Sequence, residues 1–531
     1  MRPASFQRRR PFAFAAYIVL IRHGFPLWTD RIRLPMSVVF GGAFMKKANT
    51  TVAARSFDPA AGGAEGHLTG FGSRSYRAYV LNALLFVYIL NFLDRGLLSI
   101  VSEPVMNELK ITDGQFGLLT GIGFALFYSV VGIPLAHLSE TRNRVWIMTV
   151  CIALWSGATA LSGLADAVNF GAFAVSGFVM LLLCRVLVGV GEAGCTPPAN
   201  SIIADYFPPS RRSTALGYYA MGVTLGGLSA NLLGGPVAEA YGWRTAFIVI
   251  GLAGVIVAVV FRLTVREPPR GYSDPPQTTR PSKASFREAL RELASKPSFW
   301  LMSAGATLAS FCGYGMTTFQ TSFLIRTHGL SLTEATLQFN APAALAGSIG
   351  VVATGWLAEK TVKKNPNAIA WLPAIGLVAC VPFYLIGFSS DNRWIALAFI
   401  SLGACVKYGY IAAQYTIGQG VVGVRTRATA TAILLFIINL IGYGLGPPFI
   451  GVLSEILFSM QADAEGFAGL ARASCKGALL AGLPETEQAF CRVADADALQ
   501  KSLIITSVLY LAPAVFFMAT ARTLQRDLVA R

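Results

Sequence analysis

Charge is scarce in this chain of 531 residues: 43 Lys and Arg and 27 Asp and Glu make up 13% of it, about half the share usual in soluble domains. That excludes a cytosolic enzyme. Histidine is scarcer still, with His23, His67, His137 and His328 the complete set and none at mid-span. There is no HExxH, no GxxxxGK[ST] and no nucleophile elbow, so neither hydrolytic nor ATP-driven chemistry has residues to carry it. Of eight cysteines, Cys151, Cys184, Cys195, Cys312, Cys380 and Cys405 sit in apolar segments without metal-ligand spacing. They read as small buried hydrophobes, and no metal or cofactor is expected.

What the chain has is apolar runs of bilayer length. They fall near 77–101, 114–135, 145–165, 178–205, 213–237 and 243–264, then near 298–325, 335–358, 367–388, 394–420, 428–457 and 500–521. The predicted fold is therefore all-α and membrane-integral, with twelve transmembrane helices in two six-helix halves, 76–264 and 298–522. A basic linker at 265–297 joins them, and within it Phe286, Leu290 and Leu293 share one face of an amphipathic helix. Residues 1–75 read as a cytoplasmic tail, because their one apolar stretch, 12–21, is too short to span; 523–531 form a second short tail. Loops on the linker's side hold 16 Lys and Arg against about seven opposite, which places that side and both termini in the cytoplasm of a bacterial inner membrane. The excess of 16 positive charges belongs to this loop bias, and no nucleic-acid partner is expected.

The halves echo one another. Ala136-His137-Leu138-Ser139-Glu140 with Arg144 corresponds to Gly355-Trp356-Leu357-Ala358-Glu359 with Lys363, each pair 219 residues apart. Arg212-Ser213-Thr214-Ala215 pairs with Arg427-Ala428-Thr429-Ala430, and Gly235-Pro236 with Gly446-Pro447. Repeated six-span halves are the architecture of carriers that rock around a midplane site.

Ionisable residues inside spans mark that site, since each must be paired or face the protein interior. They are Asp94 and Arg95 in span one, Arg185 and Glu192 in span four, and Lys407 in span ten. Arg185 and Glu192 lie two turns apart on one face, roughly 10 Å along the axis, and Asp94 matches Arg185 in depth. Two acids against three bases favour an anionic substrate if all line one cavity, with Tyr314 and Tyr408 as wall residues. Glu140, Arg144, Glu359 and Lys363 form a candidate cytoplasmic gate. Gly189-Val190-Gly191-Glu192-Ala193-Gly194 matches GxGxxG but has no preceding strand, so it reads as helix packing. Cys475 and Cys491, alone in the polar 458–499 loop on the oxidising side, are expected to form a disulfide.

These residues resemble the major facilitator superfamily and, within it, the spinster-type family. The resemblance rests on Asn91-Phe92-Leu93-Asp94-Arg95, Pro134-Leu135-Ala136, the run 185–193 around Glu192, Ala204-Asp205-Tyr206-Phe207-Pro208 and Gly444-Leu445-Gly446-Pro447. It covers residues 77–521. It implies a proton-coupled carrier in which Asp94, Arg185 and Glu192 couple protonation to alternating access and Arg95 lines the site. The expected cargo is an amphipathic or organic anion such as a lysolipid or lipid phosphate, carried by a monomer whose other partners are protons and the bilayer. A carboxylate or sugar-acid symporter is the alternative within the superfamily; a membrane receptor or lipid scramblase is the alternative outside it.

Overall fold

A computed structural model describes residues 69–166, 168–169, 174–274, 286–362, 364–423 and 425–528. Nearly all of the expected N-terminal tail, and Lys363, lie outside them. The regular structure of the described residues is helical but for a two-residue antiparallel pairing of Val168–Asn169 with Ala174–Val175.

Among the described residues ten helices are long and apolar enough to cross a bilayer. Spans one to four are Arg74–Ile100, Asp113–Thr141, Arg144–Ser162 and Gly177–Tyr206, and span six is Trp243–Thr264. Spans eight to twelve are Leu332–Val362, Ala368–Ser389, Arg393–Gly420, Thr429–Ala464 and Glu485–Asp527. Two further helices are as long but more polar: span five, beginning Pro209–Ser229 and ending at Tyr241, and span seven, Pro297–His328. Span seven carries Ser303, Thr307, Ser310, Thr318, Thr321 and Ser322 on its buried surface, where protein rather than lipid receives them. The protein is a twelve-span membrane protein.

Local signals set where the spans begin. The Ser73 side chain accepts a hydrogen bond from the Tyr76 backbone N–H, Asn143 does the same for Trp146, and Thr112 with Gln115 and Ser331 with Glu334 form capping boxes. Wider π turns at Ala230–Gly234, Ala335–Asn340 and Ile438–Tyr443 lie just ahead of Pro236, Pro342 and Pro447. A proline ring crowds the carbonyl four residues back and donates no hydrogen bond to it, which loosens the preceding turn. Spans four and ten also break alike: a first segment ends at Ala193 or Lys407, and an 11-residue segment follows, Thr196–Tyr206 or Tyr410–Gly420.

Both halves use the same packing plan. Span three lies against six, one against five, and four against two and three; in the second half nine lies against twelve, seven against eleven, and ten against eight and nine. Between halves, span two meets span eleven through small residues. A methyl on Gly117 would come 2.6 Å from the Pro447 carbonyl oxygen, and one on Gly451 would come 2.2 Å from that of Asp113, so only glycine permits this approach.

Span twelve starts at Glu485, well before the apolar run at 500–521, because its first four turns pack on protein rather than lipid. Phe490, Cys491, Ala494 and Ala498 recur at helical spacing and enclose a small core with Phe458 and Ala462 of span eleven. Cys475 joins that core and is bonded to Cys491, with Cα atoms 5.4 Å apart. Denatured, unreduced protein should accordingly bind a mass-tagged maleimide at the six free cysteines and, after reduction, at all eight. Eight labelled thiols before reduction would refute the bridge. In the linker, Phe286–Ala294 is helical, but Ala289 and Leu293 form its buried side while Phe286 and Leu290 are exposed. The apolar face read from the sequence is thus divided: Leu293 packs inward and the other two point away.

Candidate functional site

Asp94 and Arg95 are consecutive on span one, so their side chains diverge by about 100° around the helix. Each meets span four at a different level. An Asp94 carboxylate oxygen lies 3.8 Å from Arg185 Nη1, and its other oxygen accepts a 2.8 Å hydrogen bond from the Thr159 hydroxyl of span three. Arg95 Nε donates to Glu192 at 2.5 Å. The two pairs cross-brace spans one and four, with each acid and each base supplied once by each helix.

The cluster is buried, and Arg95, with 14% of its side chain accessible, is its most open member. Its guanidinium lies among the rings of Phe92, Phe124 and Tyr128, at 4.9, 4.9 and 4.6 Å from their centroids. Phe124 meets Tyr443 edge-on at 5.4 Å, and Tyr443 meets Tyr314 at 4.6 Å. An aromatic wall therefore runs from the first half into the second. Arg185 is different: among the described residues none of its three guanidinium nitrogens has a hydrogen-bond partner, nor do Asp94 Oδ2 and Glu192 Oε1. Buried polar atoms without partners are rare outside functional sites. Chemically, the site offers two buried carboxylates, each facing one arginine of the neighbouring span.

Lys407 stands apart from this cluster. Its ammonium faces the rings of Tyr384, Tyr408 and Tyr510, all in the second half, at 5.4, 4.7 and 6.0 Å. It approaches Gly313 from the same side as the Tyr510 hydroxyl. Tyr408 also packs on Gly347 of span eight. Of the two tyrosines singled out in the sequence, Tyr314 joins the aromatic wall and Tyr408 joins the lysine. Among the described residues Lys407 makes no ion pair with the cluster, so the charge sum of two acids against three bases is not that of one set of ion pairs. The four groups that meet carry no net charge when all are ionised.

Of the four candidate gate residues, Lys363 lies outside the described residues and the other three are Glu140, Arg144 and Glu359. Arg144 is fully buried and bonds Asp205, Glu267 at 2.6 Å, Ser201 and the Pro268 carbonyl, all in the first half or the start of the linker. It binds that half to the linker instead of reaching across. Glu140 and Glu359 are exposed.

Contacts between halves gather instead at the end carrying the disulfide loop. Asp113, at the start of span two, receives Arg326 from span seven at 2.8 Å and Arg472 from the loop at 2.9 Å. Arg326 also pairs with Glu103 at 2.7 Å, and Asp495 of span twelve collects Arg472 at 2.8 Å and Lys476 at 2.6 Å. The Gly114 N–H donates to Glu455 at 2.8 Å. This latch escapes a reading of the sequence because charges at span ends are ordinary there. Thr159, Phe124 and Tyr128 escape it because hydroxyls and rings are common within spans; only the mid-span Asp94 signals that polar neighbours must exist.

The family model described as the Major Facilitator Superfamily matches residues 84–456. The chain belongs to the major facilitator superfamily. Among superfamily members it is 32% identical over 391 residues to an MFS-type efflux pump of Mycolicibacterium smegmatis, covering 74% of this chain and 87% of that one. It is 30% identical over 424 residues to protein spinster homolog 1 of Bos taurus, covering 76% and 78%. A crystal structure of a bacterial homolog of the human lysosomal transporter spinster, inward-facing and unoccupied, superposes with a TM-score of 0.79 at 40% identity, over 86% of this chain and 100% of that one. The protein is a spinster-type transporter of the superfamily, and the doubled pair of spans one and four lies within the matched residues.

Proposed function

We propose that the protein is a proton-coupled carrier of an amphipathic or organic anion, with a lysolipid or other lipid phosphate as the favoured cargo. The carrying observation is the doubled acid–base pair. Fully ionised, the four groups cancel, and one proton on a carboxylate leaves a net positive charge and an arginine without its partner. An anion then supplies the missing charge, so proton and anion favour the same state of the site and travel together. The aromatic wall from Phe92 to Tyr314 offers apolar surface beside Arg95, which suits a cargo with one charged end. The loop-end latch closes one mouth, in keeping with the inward-facing state of the solved homolog. Taking the basic linker end as cytoplasmic, alternating access exchanges this closure for one at the linker end.

Reconstituted protein tests the reading. Liposomes enclosing a pH-sensitive dye are offered a lysophospholipid, a sphingoid phosphate or a sugar acid, each radiolabelled. The anion that enters should bring protons with it. Entry of a labelled anion without any pH change would remove proton coupling, and entry of the sugar acid alone would replace the lipid-like cargo by a carboxylate.

A further inference from the structure

Three arginines converge where span one begins. Arg74 and Arg77 of its first turn and Arg211, just past the turn between spans four and five, line a cavity of about 530 Å³ with Leu81, Phe207 and Pro208. Among the described residues no carboxylate lines it. Arg77 is anchored by donating to the carbonyls of Gly70 and Gly72, at 3.1 and 2.6 Å. Both glycines have positive φ, 80° and 77°, which turns those carbonyls toward it. Neither Arg74 nor Arg211 has an ion pair among the described residues, whereas nearby Arg144 pairs with Asp205 and Glu267, and Arg212 with Asp274. Three guanidiniums around one hollow repel one another unless an anion sits between them.

The position says which anion. Tyr76 and Tyr79 stack beside the cavity with ring centroids 6.1 Å apart, and Tyr79 is exposed. Tyrosines at a span's end mark the headgroup level of a bilayer. Guanidiniums match phosphate oxygens in geometry as well as charge, and Leu81, Phe207 and Pro208 offer an apolar side to what the phosphate carries. We infer that Arg74, Arg77 and Arg211 form a binding site for a phosphate group, that of an anionic phospholipid headgroup, separate from the transport site. Its occupant ties the start of span one to the turn joining spans four and five.

The full chain is placed in nanodiscs of phosphatidylcholine with or without phosphatidylglycerol, and retained lipids are counted by native mass spectrometry. In a parallel arm the detergent-solubilised protein is titrated with inorganic phosphate and with glycerol 1-phosphate. Phosphatidylglycerol should be retained selectively, and the double variant Arg74→Gln/Arg211→Gln should lose about tenfold or more in affinity, the scale of losing charged hydrogen bonds. Arg393→Gln, at the opposite end, should retain it as the parent does. Equal binding by inorganic phosphate, lost in the double variant, would assign the same site to a soluble phosphate. Undiminished retention in the double variant, or equal loss in Arg393→Gln, would overturn the site.

Discussion

Replacing Asp94 with Asn should leave exchange of substrate across the membrane intact and abolish accumulation driven by an imposed pH gradient. Asn keeps the size of the side chain and an oxygen for the Thr159 hydroxyl, which donates to Asp94 at 2.8 Å, so the packing of spans one, three and four survives. What it loses is the charge facing Arg185 and the site for a proton. Arg185 then loses its Asp94 partner at all times, the condition that the proposed protonation would create only transiently in the parent. Asp94 is the first of the two carboxylates to test because its ion pair is the looser, 3.8 Å against 2.5 Å. A coupled carrier concentrates its cargo about tenfold for each pH unit and proton; the variant should equilibrate it without concentrating it. The measurement is uptake into proteoliposomes with and without a pH jump, beside counterflow at equal pH. Normal accumulation would pass the role to Glu192 or end the proton-coupled reading.

The second large effect is expected at the loop-end latch. Asp113→Asn removes the carboxylate that Arg326 and Arg472 reach from the other half. Breaking a buried ion pair by deleting one partner costs about 3–5 kcal/mol. In the alternating-access cycle proposed above this pair belongs to the state in which that mouth is shut, so the cost should fall on the closed state alone. The balance between open and closed forms should move by about a hundredfold or more. Spin labels at Leu164 and Asp391, exposed residues near the loop ends of spans three and nine, should report a longer distance in the variant. Transport should slow, since every cycle must return through the closed form. An unchanged distance distribution would show that the glycine-mediated contact of spans two and eleven holds the mouth without the charges.

Spans are legible where lipid alone decides composition. Span six is read at 243–264 and observed as Trp243–Thr264, because its outer side faces lipid along its whole length, with Ile256 and Leu263 exposed. Span twelve is read short because its first turns answer to a local core that no hydropathy count detects. At the site, depth counting brings Asp94 level with Arg185, and helical spacing puts Glu192 on the Arg185 face. The same counting cannot tell that Lys407 turns away. Span ten breaks directly after it, and the direction of a side chain beside a break depends on the break's geometry, which composition does not encode. The latch depends on how two halves meet, and only paired distances report that.

The breaks in spans four and ten have an electrostatic consequence. A helix segment that stops inside the membrane ends on carbonyl groups that are satisfied only by tighter bonds, in span four from the N–H groups of Gly194 and Cys195 to Gly191 and Glu192, so its terminus keeps a partial negative charge. Glu192 and Lys407 each lie in the last turn before such an end. The terminal dipole opposes the charge of Glu192 and welcomes that of Lys407. This accounts for the different company they keep: the glutamate requires the short contact from Arg95, while the lysine resides among tyrosine rings with no carboxylate in salt-bridge reach among the described residues. The interrupted helix thus leaves the glutamate of one half leaning on a neighbouring span and the lysine of the other half among rings of its own half.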